Sequence, residues 1–96
     1  MKVLWTEVAV GHLQAIYDYL AQTSPAYAQR VVDKLTRCSQ QIAAFPFSGR
    51  AVPEYELGEV RQIIETSYRI IYFDQEEQIE ILSVLHTARD ELKPLE

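Results

Sequence analysis

"VRQIIETSYRIIYFDQEEQIEILSVLHTARDEL" spans residues 60–92. Its apolar residues are mostly β-branched or aromatic and fall into three short runs: Val60–Glu65, Tyr68–Phe73 and Ile79–Leu85. Such residues suit a pleated, half-buried surface. Thr66–Ser67 and Asp74–Gln78 separate the runs, and connections this short join antiparallel neighbours. The first turn lacks the Gly or Asn that a two-residue loop prefers. The acids of the second make a solvated tip. The segment is therefore an antiparallel meander with one face to bury.

Register decides where its cations point. A two-residue turn at Thr66–Ser67 pairs Glu65 with Tyr68 and Arg61 with Tyr72. Arg61 then shares a face with Ile63, Ile70 and Tyr72, and Arg69 points the other way. A three-residue turn puts both arginines on one face, because a slip of one residue swaps faces. The residues themselves leave both registers open.

Upstream lies the material to cover the sheet. Lys2–Trp5 is a short strand that can join it. Thr6 offers a helix N-cap and Glu7 places negative charge in the first turn. Leu13, Ile16, Tyr17 and Leu20 follow the spacing of an amphipathic helix. His12 lies off that stripe and reads as a solvated surface histidine. "TSPAY" (residues 23–27) ends this helix and starts another. Ser24 caps it, and Pro25 fits the first helical position, where a missing N–H costs nothing. The stripe of the second helix, which runs to about Ala44, is Ala28, Val31, Val32, Leu35 and Ile42. Cys38 lies close to the same face as a small core residue. The short loop implies an antiparallel helical hairpin, each large apolar residue of which contributes about 1.5–3 kcal/mol when buried. Pro46, Gly49, Pro53 and Gly58 make residues 45–60 a loop from which Arg50 can project. After the last strand, Thr87 can cap a short helical turn, with Asp90 in the capping-box position and Pro94 as the stop.

With 96 residues, 48% hydrophobic and 24% charged, the chain reads as one globular domain. The lone Cys38 makes no internal disulfide, and no apolar run approaches the ~20 residues of a membrane span. A cytoplasmic location is the simplest expectation. The net charge is −5. It is uneven: residues 1–48 hold four cations against three acids, residues 49–96 five against eleven. That balance opposes a broad phosphate-binding surface and hence direct nucleic-acid binding. Glycine-rich phosphate loops, paired cysteines and metal-spaced histidines are missing, so neither cofactor nor metal is expected. What remains is a polar set on the sheet and the turn after it: Arg61, Arg69, His86 and Arg89.

The order "PFSGR", "VRQII", "YRIIYF", "IEILSVLHTARDEL", preceded by a helical hairpin, resembles the ParE branch of the RelE/ParE toxins of bacterial type II toxin–antitoxin systems. The resemblance covers nearly the whole chain. It implies an α+β fold, with an N-terminal strand and an antiparallel helical hairpin packed on a small twisted antiparallel sheet. It also implies a ParD-like antitoxin, whose C-terminal segment wraps the toxin by helix-in-groove and strand-addition contacts. Leu13, Tyr17, Leu20, Val31 and Leu35 on the hairpin are the residues assigned to that partner. ParE-type members are associated with inhibition of DNA gyrase, growth arrest and plasmid stabilisation. Arg50, Arg61, Arg69, His86 and Arg89 are then the candidates for target contact. RelE-type members cut mRNA on the ribosome, and in that case Arg61, Arg69, His86 and Arg89 are the catalytic candidates. The chain departs from that pattern: Gln62 and Ile63 stand where a second cation is expected, and no Tyr or Phe follows His86. An inactive, partner-binding scaffold is the third reading. The assembly, a homodimer or a hetero-oligomer with antitoxin, stays open.

Overall fold

The computed structural model describes residues 1–56 and 58–90. Thr6 begins the fold's organisation. Its hydroxyl accepts the Ala9 N–H (3.2 Å), capping helix α1 (Glu7–Ala21), and donates to the Ile81 carbonyl (2.7 Å). One side chain thus starts a helix and ties it to the sheet. Ser24 caps helix α2 (Pro25–Ala44) by accepting the Tyr27 N–H at 3.1 Å, with Pro25 in the first turn as expected.

The sheet contains β1 (Lys2–Trp5), β2 (Arg50–Ala51), β3 (Val60–Glu65), β4 (Tyr68–Asp74) and β5 (Gln78–His86), in the order β1-β5-β4-β3-β2. The β3-β4-β5 meander is antiparallel, as its turns require. The whole sheet is mixed, because β1 pairs with β5 in parallel, Lys2 opposite Gln78 through Trp5 opposite Ile81. A second difference from the expected loop is β2, which pairs Arg50 with Gln62 and Ala51 with Arg61. Two residues too short to show a period can still satisfy backbone groups on the β3 edge.

The β3–β4 register is that of the two-residue turn: Glu65 opposite Tyr68, Arg61 opposite Tyr72. Thr66 takes φ 55°, a left-handed conformation in which Gly is normally used. In β5, Ser83 pairs with Ile71 and Ile81 with Tyr72, leaving Leu82 as a bulge. The bulge resets the alternation, so Ile79, Ile81 and Val84 all face the helices.

The main core is built between the hairpin and this face. Ala9, Ile16, Val31, Leu35, Cys38 and Ile42 meet Tyr68, Ile70, Tyr72, Ile79, Ile81 and Val84. Burial pushes the Cys38 thiol above its ordinary pKa, with Glu65 adding to the shift, as suits a core residue. The opposite face is covered too. Val52, Val60, Ile71 and Leu85 form a smaller cluster, with Tyr55 and Leu82 packed on it. Val52 comes from the loop after β2, which folds back across the sheet.

Two expectations need correction. Val31 is 7% and Leu35 0% exposed, so these two stripe residues serve the core and present nothing to a partner at the surface. Among the described residues no helix follows Thr87; residues 87–89 form a turn. His86 holds the cap position instead, with Nδ1 accepting the Ala88 N–H (3.1 Å) while the Asp90 carboxylate accepts the His86 N–H (2.8 Å). The reciprocal logic of a capping box is present, one residue earlier than the Thr suggested. Pro94 lies outside the described residues.

Candidate functional site

The four candidate arginines and His86 do not converge. Arg61 and Arg69 sit on opposite faces of the sheet. On the helix-facing side, Arg61 donates from Nη1 to the Gly49 carbonyl (3.1 Å), and its guanidinium lies 5.1 Å from the centre of the Phe47 ring. On the other side, Arg69 makes a two-pronged ion pair with Glu54 (2.9 and 3.0 Å) and donates from Nε to Gln62 (2.8 Å). The hydrogen bond from Arg69 is the main force holding the Glu54 carboxyl below its ordinary pKa. Arg50 is exposed on β2.

His86 and Arg89 do share one end of the sheet. The His86 ring meets Tyr68 edge-on, with centroids 5.4 Å apart. Arg89 lies 4.8 Å from the Tyr19 ring centre on α1. Beside them opens a cleft of about 840 Å³, lined by His12, Ile16, Tyr19, Val84, Arg89 and Asp90 among others. It exists because β1 covers β5 only as far as Ile81. Beyond that point the chain has turned into α1, and side chains replace a strand at the β5 edge. His12 is the clearest case. Its Nδ1 accepts the Val84 N–H at 3.2 Å, so it is a half-buried edge cap and not a solvated histidine. Only the distant position of β5 reveals this role; nothing around His12 in the sequence signals it.

Along the outer groove of the hairpin, Leu13 and Tyr17 line a shallow depression with Val10, Gln14 and Val32. Leu20 lies near the hairpin tip with Tyr19 and Tyr27. These three partner candidates are reachable from outside. Among the described residues, no three His, Cys, Asp or Glu side chains gather to hold a metal ion. No helix in them is long and apolar enough to cross a membrane.

A profile of the family described as ParE toxin of type II toxin–antitoxin system, parDE, matches residues 3–91. The chain belongs to the ParE toxin family. The chain is also similar to a protein named Toxin RelE2 from Caulobacter vibrioides, with 33% identity over 88 residues, covering 92% of this chain and 97% of the relative. The ParE fold is also matched by a solved structure titled "Chromosomal ParDE TA system from P. aeruginosa". The TM-score is 0.74 at 25% identity, over 90% of this chain and 95% of the other. This family member is thus a type II toxin–antitoxin toxin with an α+β fold.

Proposed function

We propose that this toxin arrests growth by binding DNA gyrase, and that a cognate, ParD-like antitoxin neutralises it in the cytoplasm. The observation that carries this reading is the dispersal of the cations. Cleaving RNA requires an activated 2′-hydroxyl, charge placed at the phosphate and a proton for the leaving oxygen, all at one point. Here Arg69 is engaged by Glu54 and Gln62, and Arg61 by Gly49 and Phe47 on the other face. Net charge −5 further disfavours the approach of a polyanion. Inhibition by protein–protein contact needs no such convergence. In this reading the antitoxin runs along the groove of Leu13, Tyr17 and Leu20 as a helix and enters the cleft at the end of β5, where an added strand would displace His12 from the Val84 N–H.

The test is supercoiling by purified gyrase with increasing toxin. Inhibition at micromolar toxin, relieved by an antitoxin peptide, is the expected result; unchanged supercoiling over that range rejects the reading. Ribosome-dependent mRNA cleavage is the alternative, favoured by His86 and Arg89 standing three residues apart at the end of β5 and by the name of the Caulobacter relative. It predicts toeprints on translating ribosomes that disappear with His86→Ala.

A further inference from the structure

Phe45 and Phe47 are the two most exposed large hydrophobic side chains among the described residues, at 68% and 74%. They flank Pro46 in the loop that follows α2. Exposed phenylalanines are common on loose segments, but this one is clamped. The buried Tyr72 hydroxyl accepts the Gly49 N–H (3.0 Å) and donates to the Pro46 carbonyl (2.7 Å). The Phe45 N–H donates to Gln41 (2.9 Å) and the Ser48 N–H to Phe45 (3.0 Å). Arg61 holds the Gly49 carbonyl and lies over Phe47. Aromatic groups fixed before binding lose little entropy when a partner arrives.

A pocket of about 460 Å³ opens beside Phe47. Met1, Pro46 and Phe47 supply its apolar part, and Glu59, Asp74 and Glu76 its rim. Arg61, its cation, is already committed to Gly49 and Phe47. Those contacts are to neutral groups and leave Arg61 charged, but three carboxylates outnumber it, so the opening is net negative next to an aromatic ring. That arrangement attracts a Lys or Arg side chain through charge, with its aliphatic stem against the exposed part of Phe47, and repels phosphate. The pocket lies at the start of β5 and the His12 cleft at its end, roughly 25 Å away at strand rise.

We propose that the Phe45–Arg50 loop and its acid-rimmed pocket form the face that engages the toxin's protein target, through a segment carrying Lys or Arg beside an apolar anchor. The inference rests on the protein-target reading above and names the surface that carries it. Antitoxin and target then occupy opposite ends of the sheet and exclude one another by bulk.

The experiment compares wild type, Phe45→Ser/Phe47→Ser and Asp74→Lys/Glu76→Lys for growth arrest on induction, gyrase supercoiling, native mass and thermal melting. Phe45 and Phe47 are exposed, so folding should survive in that pair, while melting decides whether the charge-reversed pair folds, because Asp74 accepts the Glu76 N–H in the turn before β5. Expected is loss of growth arrest by both variants and at least a tenfold rise in the toxin needed to halve supercoiling. Wild-type arrest by a folded form of either variant overturns the proposal. So does a drop in native mass from dimer to monomer, which would make the patch a contact between copies. Arrest by wild type without any effect on supercoiling removes gyrase as target, while loss of arrest in both variants still supports the face. Absence of arrest by wild type removes both.

Discussion

Arg61 and Arg69 lie on neighbouring strands, each the second residue of its strand, yet they have different work. Arg61 is on the face that meets the helical hairpin, where it fastens a loop through the Gly49 carbonyl and the Phe47 ring. Arg69 is on the thinly covered face, where Glu54 and Gln62 hold it at the edge of a small cluster. The first region is a deep core with a polar clamp at its border. The second is a shallow layer pinned by one ion pair. Their stability contributions should differ accordingly, and substitutions can test the difference.

The largest effect is expected on the helix-facing side. Tyr72 is fully buried and is the largest side chain in that condition among the described residues. Tyr72→Ala should cost about 3–5 kcal/mol, the range for emptying a buried aromatic site. Tyr72→Phe keeps the ring and leaves the Gly49 N–H and Pro46 carbonyl without their hydroxyl partner, for about 1–3 kcal/mol. Urea unfolding measures both; equal losses would mean that the hydroxyl, not the ring, dominates. Burial also raises the Tyr72 phenol above its ordinary pKa. The folded state therefore favours the neutral form. Its contribution is full below the ordinary tyrosine range and fades as pH rises through the folded value. Tyr72→Phe should flatten the alkaline limb of a stability–pH curve, and an unchanged limb would assign it to other tyrosines.

Next comes Gly49→Ala. A Cβ there would stand 2.8 Å from the Tyr72 ring carbon Cε1 and 2.9 Å from the Gln62 carbonyl oxygen, a backbone atom that cannot turn aside. Overpacking of this kind costs about 1–3 kcal/mol. It should also loosen Phe47, visible as faster amide exchange across residues 46–50. Native exchange in that loop would show that the clamp tolerates a methyl group.

The edge cap His12 should matter less. His12→Ala removes the acceptor of the Val84 N–H and should cost about 1 kcal/mol. His12→Gln can restore part of it. If both substitutions leave the melting temperature unchanged, solvent replaces the imidazole at the β5 edge.

The smallest effect belongs to the shallow face. Glu54 is partly exposed, so Glu54→Gln should cost under about 1 kcal/mol at neutral pH. The sign of its pH dependence is opposite to that of Tyr72. Arg69 holds the folded carboxyl below its reference value of 4.5, so the contribution is present above that value and is lost as pH falls through the folded one. Wild type and Glu54→Gln should converge in stability at acid pH. Persistence of their difference there would trace it to packing.

Local signals were legible where the chain's own neighbours settle the physics. Thr6, Ser24 and Pro25 announced both helix starts, and the β-branched runs announced the meander. β2 was not legible, since a two-residue strand has no period. The Arg69–Glu54 pair joins residues fifteen positions apart across a fold-back loop, which no spacing rule anticipates. Val31 and Leu35 lie on a true amphipathic stripe, but a stripe does not say whether a sheet or another chain covers it. The candidate site residues could be named as types, but their arrangement could not be read from the sequence.

By itself, then, the sequence determined the helix boundaries, the three-stranded meander, the acidic balance and the ParE likeness, because each rests on short-range patterns and composition. Tertiary structure alone decided which face each arginine occupies, that β1 runs parallel to β5, and that His12 caps the strand end. Those outcomes depend on register and on contacts between segments up to seventy-six residues apart, like Trp5 and Ile81. Side-chain direction in a strand reverses with every residue, so one step of pairing, invisible in composition, separates a shared cationic surface from two unrelated arginines.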